Sequence, residues 1–329
     1  MPRARNTLIS LDDTPYYHCM GRCVRRAFLW GQDTFSGKDY SHRKQWVIDR
    51  LKILSEAFTI EVCAYAVMSN HYHVVLYVDK QKADTLSNNE VIARWSRLFS
   101  IPVIVQRYVN KDAISHAEQA KALEIIQTWR ARLYNISWFM RCLNEYLARE
   151  ANKEDNCTGR FWEGRYQSQA LLDEAGLLTC MAYVDLNPVR AKMAPTPEAS
   201  DFTSIQQHIH TVQQQTEPTS NRVPLKSFRL PSEPDEYRTL PFSFTDYLNL
   251  VDWTGSVIRE NKRGAIDTTL PPILVRLNIN ADIWQQLMQP HGNVFKCAIG
   301  RVDTLRLYAQ HQQQSWCQGV QASRQLFLN

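Results

Sequence analysis

The stretch Glu61–Asp79 (EVCAYAVMSNHYHVVLYVD) constrains this chain more than any other. Two apolar, β-branched runs flank a polar break at Ser69-Asn70, the pattern of two adjacent strands joined by a tight connection. Side chains alternate along a strand, so His71 and His73 share one face and Tyr72 takes the other. Two imidazoles on one face of a strand make half of a metal site. A bare H-x-H is more often a pair of strand histidines with ordinary backbone partners. The metal reading therefore depends on what the rest of the chain brings to that face.

Upstream, Tyr16–Val24 has strand composition and leads into Arg25-Arg26. Asp39–Phe58 repeats apolar residues at helical spacing (Trp46, Ile48 and Leu51, then Ile53, Leu54 and Phe58), which predicts an amphipathic helix. The order strand, helix, strand, strand opens a split β-α-β pattern of the ferredoxin-like type, an α+β fold. Lys80–Leu133 is charged and mostly helical, broken at Ile101-Pro102, and reads as an insertion. Ser137–Asn152 predicts a helix with Phe139, Leu143 and Tyr146 near one face. A Gly-bracketed loop, Gly159–Tyr166 (GRFWEGRY), leads to a last core strand at Ser168–Leu172. A helix over Glu174–Leu186 follows and is stopped by Asn187-Pro188. Pro195–Pro241 is rich in Pro, Gln, Thr and Ser and reads as a linker with one short helix at Ser204–Gln214, leaving His208 and His210 in solvent. Phe242–Asn329 regains helical patterning. The expected division is a domain over 1–194 with an insertion at 80–133, a linker over 195–241, and a small helical domain over 242–329.

With 44% hydrophobic and 22% charged residues, the chain has a soluble, globular composition. No apolar run approaches the roughly 18–20 residues of a membrane span. The start Met-Pro-Arg-Ala-Arg-Asn carries no apolar segment of a secretory signal. Eight scattered cysteines fit reduced thiols, so a cytoplasmic, nucleoid-associated location is expected. The net charge of +5 permits a nucleic-acid partner without requiring one. Placement says more: Arg22, Arg25 and Arg26 follow the first strand, and Arg160 and Arg165 flank Phe161-Trp162. Arginines of this kind bind phosphates, and the aromatics could stack an unpaired base.

Tyr146 and Glu150 lie one turn apart on one helix face. If that face meets His71 and His73, two imidazoles and a carboxylate could hold Mg2+ or Mn2+ with positions open for a phosphate oxygen. A tyrosine beside such an ion can attack a phosphodiester, and the phosphotyrosine conserves bond energy for strand transfer.

Four segments recur here in one order: Met68–His73, the helix with Tyr146, Gly159–Tyr166, and Tyr183–Arg190 (YVDLNPVR). Together they resemble the single-tyrosine HUH transposases, in particular the REP-associated tyrosine transposases, over about Thr14 to Met193. The resemblance implies an antiparallel sheet with helices on one side. It implies a metal pair at His71 and His73, a nucleophile at Tyr146, and a third ligand at Glu150, with Asn144 and Asn152 as competitors. It further implies action on single-stranded DNA near hairpins, leaving a 5′-phosphotyrosine and a free 3′-OH, within one subunit or across a homodimer. Tyr134, Tyr166 and Tyr183 are the other candidate nucleophiles. The alternative is a structure-specific DNA-binding protein that keeps the fold without the chemistry.

Overall fold

A computed structural model describes residues 9–24, 31, 37–214, 222–230, 239–258, 271–288 and 297–328. In chain order the elements are β1 (Tyr16–Arg22), α1 (Arg43–Ala57), β2 (Ile60–Val67) and β3 (His71–Val78), followed by α2 (Lys80–Thr85), α3 (Asn88–Ser96), α4 (Val103–Asn110) and α5 (His116–Leu133). Next come α6 (Ile136–Glu154), β4 (Gln167–Leu171), α7 (Glu174–Asp185), α8 (Asn187–Arg190) and α9 (Ser204–Gln214). The C-terminal part adds α10 (Phe244–Ile258), α11 (Pro272–Arg276), α12 (Ala281–Leu287), β5 (Ala298–Ile299), α13 (Val302–His311) and α14 (Val320–Leu326). No described helix is long and apolar enough to cross a membrane.

The fold is mixed α/β around one five-stranded sheet of order β2-β3-β1-β4-β5. The first four strands pair antiparallel, and β5 joins β4 in parallel. The sheet is therefore mixed rather than wholly antiparallel, because its edge strand comes from the C-terminal part of the chain.

Helices cover both faces of the sheet, not one. Tyr17, Cys19, Tyr72, Val74 and Leu76 pack against Leu51 and Leu54 of α1 and Phe139, Leu143 and Leu147 of α6. A bulge between Val62 and Ala64 shifts the alternation, so Val62 and Tyr65 both join this face. On the reverse face, Ala64, Ala66, Val75, Tyr77 and Leu171 pack with α7 and with Tyr247, Leu274 and Trp284. An apolar pattern on both faces cannot stay wet on one of them, and the C-terminal helices supply the second cover.

The insertion forms a cluster of its own, with Val91, Trp95, Val105, Ile126 and Trp129 buried together. Capping boxes at Ser87/Glu90 and Ser115/Glu118 start α3 and α5 by satisfying the first free amides of each helix. The described parts of the stretch expected as a linker, 195–214, 222–230 and 239–241, are packed rather than free in solvent. Ile205 and Val223 are buried, Lys226 pairs with Glu61 at 2.7 Å, and His208 sits against Phe228 and Phe244 rather than in solvent. The polar composition of this stretch hid a thin apolar stripe.

Candidate active site

The register of β1 on β3 builds the site. Met20 lies opposite His73 and Arg22 opposite His71, so His18, Met20 and Arg22 share the face of the histidine pair. His18 Nε2 is 2.8 Å from His73 Nδ1, and His18 Nδ1 is 3.3 Å from Gln169 Oε1 on β4. From above, Asn187 Nδ2 lies 3.0 Å from His73 Nε2. One proton assignment satisfies all three contacts. Asn187 donates to His73 Nε2, His73 Nδ1–H donates to His18 Nε2, and His18 Nδ1–H donates to Gln169. The line crosses three strands and leaves both imidazoles neutral.

Electrostatics agree with that assignment. Burial pushes His18 down to about 4, against the pull of its Gln169 hydrogen bond. It pushes His71 down to about 4 as well, with Arg22 adding to the effect. His73 is held well below the ordinary histidine range by burial first, then by His18, His71, Arg190 and Arg22. Neutral imidazoles are the form that binds metals.

Helix α7 brings Tyr183 to this face. Its ring meets His73 edge-on, with centroids 6.0 Å apart. The Arg190 guanidinium lies 4.1 Å from the Tyr183 ring centroid and donates through Nε to Met288 O at 2.6 Å. Every other residue of α7 beyond Glu174 is buried, so Tyr183 alone reaches toward solvent past the first turn. Asn187, four residues on, follows it one turn later.

Tyr146 and Glu150 do not join the histidines. Helix α6 packs on the Tyr72 face: Tyr72 Oη donates to Asn144 Oδ1 at 2.6 Å, and Trp162 Nε1 donates to Asn144 O at 2.9 Å. The Tyr146 ring lies under Arg50 of α1, 4.8 Å from its guanidinium carbon. Its hydroxyl is raised above the ordinary tyrosine range by burial first and by Glu150 second. The sheet stands between that pair and His71/His73. Asn144, an alternative ligand, is on the wrong side too, and Asn152 donates to Gly159 O at 3.1 Å. The i, i+4 spacing placed Tyr146 and Glu150 together correctly; Phe139, Leu143 and Leu147 then turned α6 onto the other face.

The arginines and aromatics divide. Arg22 stands beside the histidines. Arg160 folds back on its own loop, donating to Trp162 O at 2.8 Å and to Glu163 O. Arg165 is exposed and has no partner among the described residues. Phe161 is 5% exposed and belongs to the core, and Trp162 packs edge-on against Tyr72. Phe161 anchors the loop and offers no face to a base, whereas Trp162 is held by Tyr72 but remains partly exposed. Val24 N to Phe161 O and Glu163 N to Arg22 O, at 3.0 and 2.9 Å, stitch the loop to the end of β1. Arg25 and Arg26 lie outside the described residues.

Among the described residues no three of His, Cys, Asp and Glu are arranged to hold an ion. A cation on this face would draw on His71, His73 and the Asn187 side chain, whose half-turn exchanges Nδ2 for Oδ1 beside His73 Nε2. Two imidazoles and an amide fit a divalent ion of the Mn2+ kind better than Mg2+, which favours carboxylates and water. His18, Gln169, Asn187 and Arg190 were not assigned to the site from sequence, and Tyr183 entered only as an alternative nucleophile to Tyr146. The i, i+4 relation of Tyr183 to Asn187 was the one signal that could have found part of it. No family model, no curated protein and no solved structure matches this chain.

Proposed function

We propose that this chain is a single-tyrosine HUH endonuclease and strand transferase of the REP-associated transposase type, acting on single-stranded, hairpin-forming DNA through Tyr183. The observation that supports this most is the meeting of Tyr183 and Asn187 with His71 and His73 on one sheet face. The ordering YVDLNPVR supplies nucleophile and amide one turn apart, which is the relation the Tyr146/Glu150 pair has on the wrong side of the sheet.

In this reading the Tyr183 hydroxyl oxygen forms a bond to the phosphorus while the bond to the 3′-oxygen breaks. The phenol gives up its proton and the departing 3′-oxygen takes one up, leaving a 5′-phosphotyrosine and a free 3′-OH. The new bond is a phosphodiester like the one broken, so attack by a 3′-OH rejoins a strand. A divalent ion held by His71, His73 and Asn187 would polarise a non-bridging phosphate oxygen. His18 and Gln169 keep the His73 lone pair on Nε2, and Arg190 pins the Tyr183 ring. Arg22 and Arg165 supply positive charge for the strand. Nucleophile and histidines belong to one chain, so the site needs no homodimer to be complete.

The test is a denaturing gel of labelled hairpin DNA with Mn2+. Wild type and Tyr146→Phe should both form a covalent adduct, and Tyr183→Phe should form none. No adduct from wild type on any hairpin would sink the proposal. A second reading, a non-catalytic structure-specific DNA-binding protein, draws on the fact that both His73 nitrogens are already hydrogen-bonded within the protein. Tight hairpin binding that ignores Mn2+ and leaves the strand intact would favour it.

A further inference from the structure

A cavity of about 490 Å3 lies in the C-terminal part, lined by Arg301, Val302, Asp303, Arg306, Arg324 and Phe327. Three arginines and one aspartate among the lining residues leave the pocket with a net positive charge. Arg301 is held in place: its backbone N–H donates to Asp173 Oδ2 at 2.6 Å and its Nη2 to Leu277 O at 2.8 Å. Arg306 and Arg324 are exposed, and among the described residues neither has an ion pair or hydrogen bond. Two unpaired arginines beside a positioned third are a poor arrangement for stability, since like charges repel at close range. They are a good arrangement for an anion.

We infer that this pocket binds the phosphate backbone of a nucleic-acid strand, apart from the histidine face. The volume falls in the range of about 300–1,000 Å3 usual for ligand sites, larger than one phosphate requires. The chemistry on offer is charge alone. Phe327, the one aromatic of the lining, is 3% exposed and offers no stacking face. A site of arginines without an open aromatic binds backbone and ignores sequence. Its position separates it from the candidate active site. Gln167 and His73 both pair with Met20, whereas Ile299, two residues before Arg301, pairs with Leu171. Four residues along β4 amount to about 13 Å, so a different length of strand occupies the pocket. The choice of a nucleic acid as ligand rests on the proposed function; the anion site itself does not.

The test compares the full chain with its Arg306→Ala/Arg324→Ala and Arg306→Lys/Arg324→Lys variants. Binding of fluorescent single-stranded oligonucleotides, one of thymidine only and one of mixed sequence, is followed by anisotropy between low and moderate salt. Each lost phosphate contact should flatten the plot of log affinity against log salt by about 0.7, so the alanine pair should lose about 1.4 from the slope on both oligonucleotides. The lysine pair should keep the wild-type slope. Equal melting temperatures check that the fold is intact, as expected for two exposed side chains. A wild-type slope in the alanine pair overturns the proposal, and so does a lysine pair as weak as the alanine pair. If calorimetry shows deoxyadenosine monophosphate binding lost in the alanine pair while the DNA slope is unchanged, the pocket takes a free phosphate ligand and the strand proposal fails. The adduct assay is read separately. An absent adduct with a changed slope would remove the nuclease reading and leave this site standing.

Discussion

His18 shows how a single side chain decides the chemistry available to another. His73 can present a lone pair on Nε2 only while Nδ1 carries the proton, and His18 is the acceptor for that proton. His18→Ala leaves a buried N–H without a partner. The expected cost is about 1–3 kcal/mol of stability, read by urea unfolding. If an ion binds at His71 and His73, loss of this outer hydrogen bond should also weaken Mn2+ binding by roughly 10–100-fold, read by electron paramagnetic resonance titration. His18→Ala with wild-type stability would mean that the 2.8 Å contact contributes nothing. The parity of His71, Tyr72 and His73 was legible in the sequence because alternation along a strand is local. The partnership with His18 was not, since it depends on the register between β1 and β3.

At the scale of elements, α7 is the helix on which the site depends. It is seated by close approach: a Cβ on Gly176 would lie 2.6 Å from Ile299 O, a backbone atom of β5 that has nowhere to go. Gly176→Ala should therefore push α7 and β5 apart and cost about 1–3 kcal/mol. Amide exchange should be faster at Leu172, whose N–H donates to Ile299 O at 2.8 Å. Unchanged exchange there would show that the strand can yield without loss. The other end of α7 is tied down by Asp185, buried and raised to about 6 by desolvation, which accepts from Ser204 Oγ, Ile205 N and Tyr247 Oη. Helix α6 is the instructive contrast. Its existence and the shared face of Tyr146 and Glu150 were readable from spacing, but a helix with an apolar stripe can cover either face of a sheet.

At the scale of the whole molecule, described residues between the expected domains, Ile205, Ile209 and Phe228 among them, pack into the same core as α7, and acid sensitivity should show it. His208 is pushed down to about 4 by burial between Phe228 and Phe244, and its Nε2 has no hydrogen-bond partner. Between that value and the ordinary 6.5 the unfolded chain holds a proton that the fold refuses. Stability is thus full above about 6.5 and falls as the pH drops toward 4, by about 3 kcal/mol at most from this residue. His208→Phe should flatten that acid limb in urea titrations at a series of pH values; an unchanged limb would assign the loss to other groups, with His18 and His71 shifted the same way. By itself, the sequence determined the first four strands, most helices, the helical character of 80–133 and the shared face of His71 and His73, because periodicity acts over a few residues. Only the tertiary structure decided that α6 and α7 take opposite faces of the sheet, that β5 returns to its edge, and so that Tyr183 rather than Tyr146 meets the histidines. The physical reason is that several apolar stripes compete for two sheet faces, and that competition is settled by burial between residues far apart in the chain.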